Sequence, residues 1–253
     1  MQKTAIIPIS DIGQEPYASV VCYPRASATE IQTRIVELKK LGVETLEFSG
    51  KASAFTLHVL GKGYVGIVVA AHAGSERLAL KMQRVDSDRE SLEREAELLA
   101  KANGVGVGPK LVGVTNHFLL MQLVDGDLLE EWLKTHIDKT AVRGVVGDIL
   151  EQCWRMDEIC LDHGELSKAP KHLIVDKSDK PYIVDFETAS TQRNASNVTS
   201  VCQFLYQGNS EACQSIKQAL GERNRNELVS ALRAYRKEPN RVNFEILKEL
   251  CLR

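Results

Sequence analysis

The spacing of apolar positions divides the chain into a strand-rich first half and a helix-rich second half. Ala5-Ile6-Ile7-Pro8-Ile9 is a short apolar piece, and Ser19–Tyr23 reads as a strand that Pro24 ends. Ser27 or Thr29 is placed to cap a helix whose Ile31, Ile35, Leu38 and Leu41 share one face, with Gly42 as its stop. Val43–Phe48 reads as a strand. Two more strands flank a glycine-rich turn, and Glu76–Met82 forms another. Asp86–Ala102 is predicted as a helix, with charges at Arg89, Glu90, Glu93, Arg94, Glu95 and Glu97 and apolar Leu92, Ala96 and Leu99. After a glycine-rich loop containing Gly108-Pro109, His117–Val124 is a buried type of strand that ends at Asp125-Gly126. Helices follow over Asp127–Thr135, which Asp127 is placed to cap, and over Asp148–Asp162. A strand–turn–strand unit then leads to Asp185, and helices over about Ser200–Tyr206, Ser210–Ala234 and Asn243–Leu252 close the chain.

The composition is that of an ordinary soluble chain: 253 residues, 43% hydrophobic and 26% charged. That length serves one large domain or two lobes with real cores. A net charge of −2 gives no electrostatic case for nucleic acid or an anionic membrane as partner. The apolar runs are shorter than a membrane span, and the first ten residues lack the pattern of a signal peptide. The six cysteines form no C-x-x-C pair, so a reducing cytoplasm is expected, without disulfides or a cysteine metal site. In that compartment the glycosylation patterns at Asn194 and Asn197 carry no meaning.

Candidate chemistry begins at Gly61-Lys62-Gly63-Tyr64-Val65-Gly66. A backbone without Cβ atoms can approach phosphate oxygens and aim N–H groups at them. A dinucleotide site needs a helix after the third glycine, but Ile67-Val68-Val69 continues as a strand, which favours a glycine hairpin lying over a nucleotide. In Leu78-Ala79-Leu80-Lys81, alternation sends Ala79 and Lys81 to one face. Glu95 lies near the core face of the next helix, where it could hold Lys81. The backbone of Gln122 and Val124 is the candidate contact for an adenine edge. Further on, His163-Gly164-Glu165-Leu166 and His172 precede a hairpin whose geometry returns Asp185 to Glu165 and His172.

With these elements the sequence resembles the protein-kinase superfamily over about residues 55–205. Within it the chain is similar to the RIO kinases and the KEOPS-complex kinase through His163-Gly164-Glu165-Leu166 and Arg94-Glu95-Ala96. It looks most like predicted archaeal serine/threonine kinases. The resemblance implies an α+β, bilobal fold: a small antiparallel β-rich N-lobe (51–124) with one helix and a helical C-lobe (125–253). Residues 1–50 are expected as an extension packed on the first lobe, or as a small winged-helix-like unit. It further implies ATP and Mg²⁺ as cofactors. Gly61, Gly63 and Gly66 would cover the triphosphate. Lys81 would contact the α/β-phosphates and pair with Glu95. Asp185 would bind Mg²⁺, with His172 in the place of the metal-binding Asn, and Glu165 would stand where the catalytic Asp stands. The acceptor is an unidentified protein or small molecule.

Departures from the pattern are specific. Glu165 is one carbon longer than Asp, about 1.5 Å. It lies seven positions before His172, where H-R-D-x-x-x-x-N has five. Hard Mg²⁺ prefers oxygen to imidazole. Glu187 stands at the Gly of D-F-G, and no A-P-E follows. A nucleotide-binding pseudokinase scaffold is therefore the alternative to an enzyme. A nucleic-acid-associated factor using residues 1–50 is a third reading.

Overall fold

The structure is a computed structural model and describes residues 4–88 and 91–253. Strand β1 (Ala5–Pro8) leads to α1 (Tyr17–Val21), α2 (Ala28–Lys40) and β2 (Thr45–Phe48). Then come β3 (Ala52–Ala54), β4 (Leu57–Val59), β5 (Gly61–Lys62), β6 (Gly66–Ala73), β7 (Glu76–Gln83) and α3 (Glu93–Gly104). Strands β8 (Leu111–Val114), β9 (Phe118–Gln122) and β10 (Gly126–Leu128) precede α4 (Leu129–Thr135) and α5 (Lys139–Glu158). Strands β11 (Leu173–Asp176) and β12 (Pro181–Ile183) are followed by α6 (Asn197–Tyr206), α7 (Glu211–Leu220), α8 (Arg225–Lys237) and α9 (Arg241–Leu252). The fold is α+β. Its chain clusters into two units, one running to Glu97 and taking in Lys110–Leu123, the other made of Leu98–Pro109 with Val124–Arg253.

In the first unit an antiparallel sheet runs in the order β1-β2-β6-β7-β9-β8. One edge of β6 is shared. Its first residues pair with β5 (Gly61↔Val68) and its last with β2 (Thr45↔His72), while β7 pairs along its other edge. Ile7, Val21, Leu38, Leu46 and Phe48 pack in one cluster with Ile67, Leu80, Met82 and Phe118. Residues 4–48 are thus built into the same sheet and core as the strands after the glycine turn. Arg34, fully buried on α2, ties this segment to the sheet. Its Nη1 donates to Val21 O (2.8 Å) and Gln83 O (2.7 Å), and its Nε donates to Glu30 (2.7 Å). On the sheet face, Glu47 accepts from Arg77 Nε at 2.8 Å and Nη2 at 2.7 Å, with His72 Nε2 at 3.0 Å. The Arg77 guanidinium holds the Glu47 carboxyl down to about 2.

The second unit is built on α5. Its Val142, Val145, Val146, Ile149, Leu150, Cys153 and Met156 are buried. Trp154 of the same helix stacks on Phe244 of α9 at 5.1 Å. Strands β10, β11 and β12 form a small antiparallel sheet.

Several local expectations are corrected. Ser19–Tyr23 is not a strand: Tyr17–Val21 is a short helix, because a helical turn between Pro16 and Pro24 buries Ala18, Val20 and Val21 together. The strand preference of two valines yields to that burial. Asp127 does not cap α4; it lies in β10, paired with Val175, and Leu128 occupies the cap position. Helix α3 starts at Glu93 rather than Asp86; Arg89 and Glu90 fall outside the described residues. Helix α5 starts at Lys139, nine residues before Asp148, with the Asp138 side chain accepting from Ala141 N. Gly221, at φ +89°, breaks the stretch 210–234 into α7 and α8.

Candidate functional site

In the first unit the glycine turn joins β5 to β6. The Gly63 N–H donates to Gly66 O at 2.8 Å, which closes it. The three glycines differ. A Cβ on Gly66 would lie 2.8 Å from Met82 O and 3.2 Å from Lys81 Cγ, so the fold itself excludes a side chain there. A Cβ on Gly61 or Gly63 would meet nothing nearer than 3.7 Å, and neither glycine has the positive φ that demands one. Beside the turn, Lys62 Nζ donates to the Tyr23 hydroxyl at 2.8 Å, and Arg84 lies 4.9 Å over the same ring.

Lys81 is on β7, opposite Val68 of β6, and is 5% exposed. Its ammonium donates to both carboxylate oxygens of Glu95 at 2.8 Å. Glu95, in the first turn of α3, is 3% exposed. The strand's alternation and the helix's inward face bring the two ends together. Gln122 ends β9 opposite Leu78, and its N–H already donates to Lys110 O at 2.8 Å. Val124 follows in the second unit, half-buried.

In the second unit Glu165, His172 and Asp185 converge, with one ligand atom of each within 4.8 Å of the others. The β11–β12 hairpin causes this. Its Asp176–Asp179 turn is closed by Asp179 N–H donating to Asp176 O, and beyond it Val184 N–H donates to His172 O at 2.9 Å. Asp185 is thereby set beside the imidazole. His172 Nε2 lies 3.1 Å from Glu165 Oε2, and its Nδ1 lies 3.9 Å from Asp185 Oδ2. That Nδ1 is buried and has no hydrogen-bond partner among the described residues. Asp185 has a left-handed backbone, with φ +69°. Aspartate tolerates that region better than most residues.

Beneath this cluster His163 is fully buried, edge-on to His172 (5.4 Å) and Phe186 (5.2 Å). Its Nε2 lies 3.1 Å from Val184 O. A carbonyl only accepts, so Nε2 carries the proton. Burial drives the His163 pKa down to about 4, which keeps the ring neutral. Its backbone N–H donates to Asn197 Oδ1 at 2.8 Å, and Asn197 Nδ2 donates to Asp157 Oδ1 at 2.8 Å and Leu161 O at 2.6 Å. Asp157 also accepts from the backbone N–H groups of Asn197 and Val198, capping α6 from a different helix, and from the Tyr235 hydroxyl. Burial raises the Asp157 carboxyl above its usual range. Gly164, at φ +90°, admits the Arg193 guanidinium: a Cβ there would lie 2.6 Å from Nη2.

Sequence reasoning missed Asn197 and Asp157 as supports of the loop, reading Asn197 only as part of a glycosylation pattern. The available signal was Ser196-Asn197 directly before an apolar run, the mark of a helix N-terminus.

A glycine hairpin beside a buried strand lysine, a helical glutamate that holds this lysine, and a histidine-supported loop next to a hairpin aspartate are the parts of a protein-kinase-like fold. Residues 69–201 match the RIO domain, just over half of the chain, and the chain belongs to that family. Its class is kinase-like and ATP-binding, comprising phosphotransferases and ATPases. The chain is also similar to the uncharacterized protein MJ1211 of Methanocaldococcus jannaschii, 29% identical over 100 residues that cover 40% of this chain and 83% of that one. Among the described residues no helix is long and apolar enough to cross a membrane.

Proposed function

We propose that the chain is an atypical serine/threonine-type phosphotransferase that uses ATP and a divalent cation, Mg²⁺ being the ion its class implies. The buried Lys81–Glu95 pair carries this reading. Burying two charges costs at least as much as their attraction returns, so such a pair is no route to stability. It keeps an ammonium fixed where a phosphate needs it. Gly61 and Gly63, where the space for a Cβ is open, let the hairpin backbone come close to phosphate oxygens, and Gly66 keeps the hairpin close to Lys81. With the Gln122 N–H already donating within its own unit, Val124 is the stronger candidate for the adenine edge.

The donor chemistry of the second cluster fits a divalent cation. Two carboxylates and an imidazole lie together, and one ring nitrogen is buried without a hydrogen-bond partner among the described residues. Asp185 and His172 would hold the ion, which supplies neutralisation of phosphate charge when bound. Glu165 would orient the acceptor hydroxyl and take its proton, through the oxygen not engaged by His172. The acceptor is a protein or a small molecule.

Lys81→Ala and Asp185→Ala should each lower radiolabelled phosphoryl transfer and ATP hydrolysis by about a hundred- to a thousandfold. Full transfer in either variant would refute the assignment. The pseudokinase reading draws on Glu165, whose carboxylate lies 3.1 Å from the His172 ring. It predicts a thermal shift with ATP and no Glu165-dependent turnover.

A further inference from the structure

We propose that Tyr23 is a positioning residue for the glycine hairpin: it holds the turn through Lys62 and Arg84, and so presents the hairpin backbone to a nucleotide already shaped. Its hold on the hairpin stands by itself, and its effect on nucleotide affinity rests on the reading above.

The hairpin has little to fix it from within. Strand β5 is two residues long, and its Gly61 and Lys62 pair with Val68 and Ile67 of β6. The turn beyond is closed by the Gly63 N–H on Gly66 O at 2.8 Å. Glycine loses more conformational freedom on ordering than any other residue. A hairpin with three glycines is therefore ordered by a hold from outside, or its ligand bears that cost on binding.

Tyr23 supplies such a hold. Lys62, exposed on the hairpin, donates to the Tyr23 hydroxyl at 2.8 Å, with its ammonium 4.4 Å from the ring centroid. The Arg84 guanidinium lies over the same ring at 4.9 Å. Arg84 reaches the hairpin as well: its backbone N–H donates to Val65 O at 2.8 Å, and its Nη1 donates to Gly63 O at 3.4 Å. Asp86 orients this guanidinium, accepting from Nε at 2.8 Å and Nη2 at 2.7 Å. A cation from the hairpin and a cation from the end of β7 thus meet at one aromatic ring, whose face attracts both.

The ring is itself anchored. The Tyr23 carbonyl accepts from Val85 N–H at 2.8 Å, and its ring lies 5.1 Å from that of Phe55. Two residues earlier, Val21 O accepts from the buried Arg34, which also donates to Gln83 O. Tyr23 lies before the matched residues 69–201, so the segment read from sequence as an extension acquires a task at the hairpin.

The test uses the full chain and two readouts: amide hydrogen exchange at Gly63 without ligand, and affinity for a non-hydrolysable ATP analogue by calorimetry. Tyr23→Phe keeps the ring and removes the acceptor for Lys62. Lys62→Met keeps the stem and removes the ammonium. The first should speed Gly63 exchange and weaken the analogue about threefold, the second about fivefold. In turnover the KM for ATP should rise in step, with kcat within about twofold of the unmodified chain. The double variant should be no weaker than Lys62→Met alone, because both changes break one contact. Tyr23→Ala releases Arg84 too and should go further; Lys62→Met, at an exposed position, decides the matter if that variant fails to fold. Unchanged Gly63 exchange in Lys62→Met would overturn the inference, as would faster exchange with unaltered analogue affinity. Additive losses in the double variant would overturn it too, making Lys62 a direct phosphate ligand. Faster exchange in the variants of a chain that binds no nucleotide would refute the phosphotransfer reading and leave the hold of Tyr23 on the hairpin standing. ATP turnover that none of the variants alters would do the reverse.

Discussion

The two charged clusters differ in how far the protein completes them by itself. In the first, Lys81 and Glu95 are 5% and 3% exposed, and one ammonium satisfies both carboxylate oxygens at 2.8 Å. In the second, the side chains of Glu165 and Asp185 are 42% and 39% exposed, and two carboxylates flank one imidazole whose inner nitrogen stays unmatched. The first is neutralised within its own unit and keeps its geometry without a ligand. The second sets two partly exposed carboxylates beside one imidazole, a donor set that an added cation fits. A charged pair can therefore serve as a fixed implement, and a charged cluster as a receptor, within one chain.

Removing a member of each cluster tests that contrast most strongly. Glu95→Gln should cost about 3–5 kcal/mol of folding stability, because it leaves Lys81 buried without its countercharge. Asp185→Asn should cost less without ligand, since its side chain is 39% exposed. Chemical denaturation of both variants checks this. Equal losses would mean that the second cluster is as closed as the first.

The support of the second cluster is the next largest effect. Asn197→Ala strips the buried His163 backbone N–H of its acceptor and the half-buried Asp157 of a donor. Each orphaned group costs about 1–3 kcal/mol, so a total near 3 kcal/mol is expected, with the tie between α5 and the His163 loop cut. Divalent-cation affinity should fall together with stability in this variant. Calorimetric titration of this variant checks the second outcome.

How much of this was visible in the sequence follows from the same contrast. The approach of Lys81 to Glu95 was readable because each residue's direction is set by a local period, two in the strand and 3.6 in the helix. The convergence of Glu165, His172 and Asp185 was readable because a short turn joins the two strands between them. Asn197 meets Asp157 across 40 residues and Tyr235 meets Asp157 across 78, and no local period encodes such pairs. Ser19–Tyr23 misled for a related reason: burial against the sheet decided its conformation, and the sheet's order is itself non-local.

A second closed pair in the first unit gives a smaller effect that pH reports. The Glu47 carboxyl has a pKa near 2 when folded against an ordinary 4.5, with Arg77 as the main cause. The unfolded chain therefore takes up this proton first. The stabilisation is complete above about pH 5, declines as pH falls through 4.5, and is spent near pH 2. With Arg77 43% exposed, solvent screens the pair, and about 2 kcal/mol is a fitting size. Glu47→Gln should flatten the stability curve across that window. A curve of unchanged slope would show that Glu47 is solvated rather than closed.

The glycine hairpin gives the smallest effect on folding. It also crosses the contrast, since it lies beside the closed pair while keeping two positions open. Gly66→Ala must push a Cβ against Met82 O, which cannot move without disturbing β7, so a loss of about 1–3 kcal/mol is expected. Gly61→Ala and Gly63→Ala meet no such obstacle and should change stability by less than about 0.5 kcal/mol. Their effect should fall on nucleotide binding, because a Cβ keeps the hairpin backbone from approaching phosphate closely. Melting curves with and without an ATP analogue separate the two: unchanged melting alone, with a reduced shift on adding nucleotide. If both variants kept the full nucleotide shift, the two glycines would be ordinary turn residues, and phosphate contact would rest on Lys81 alone.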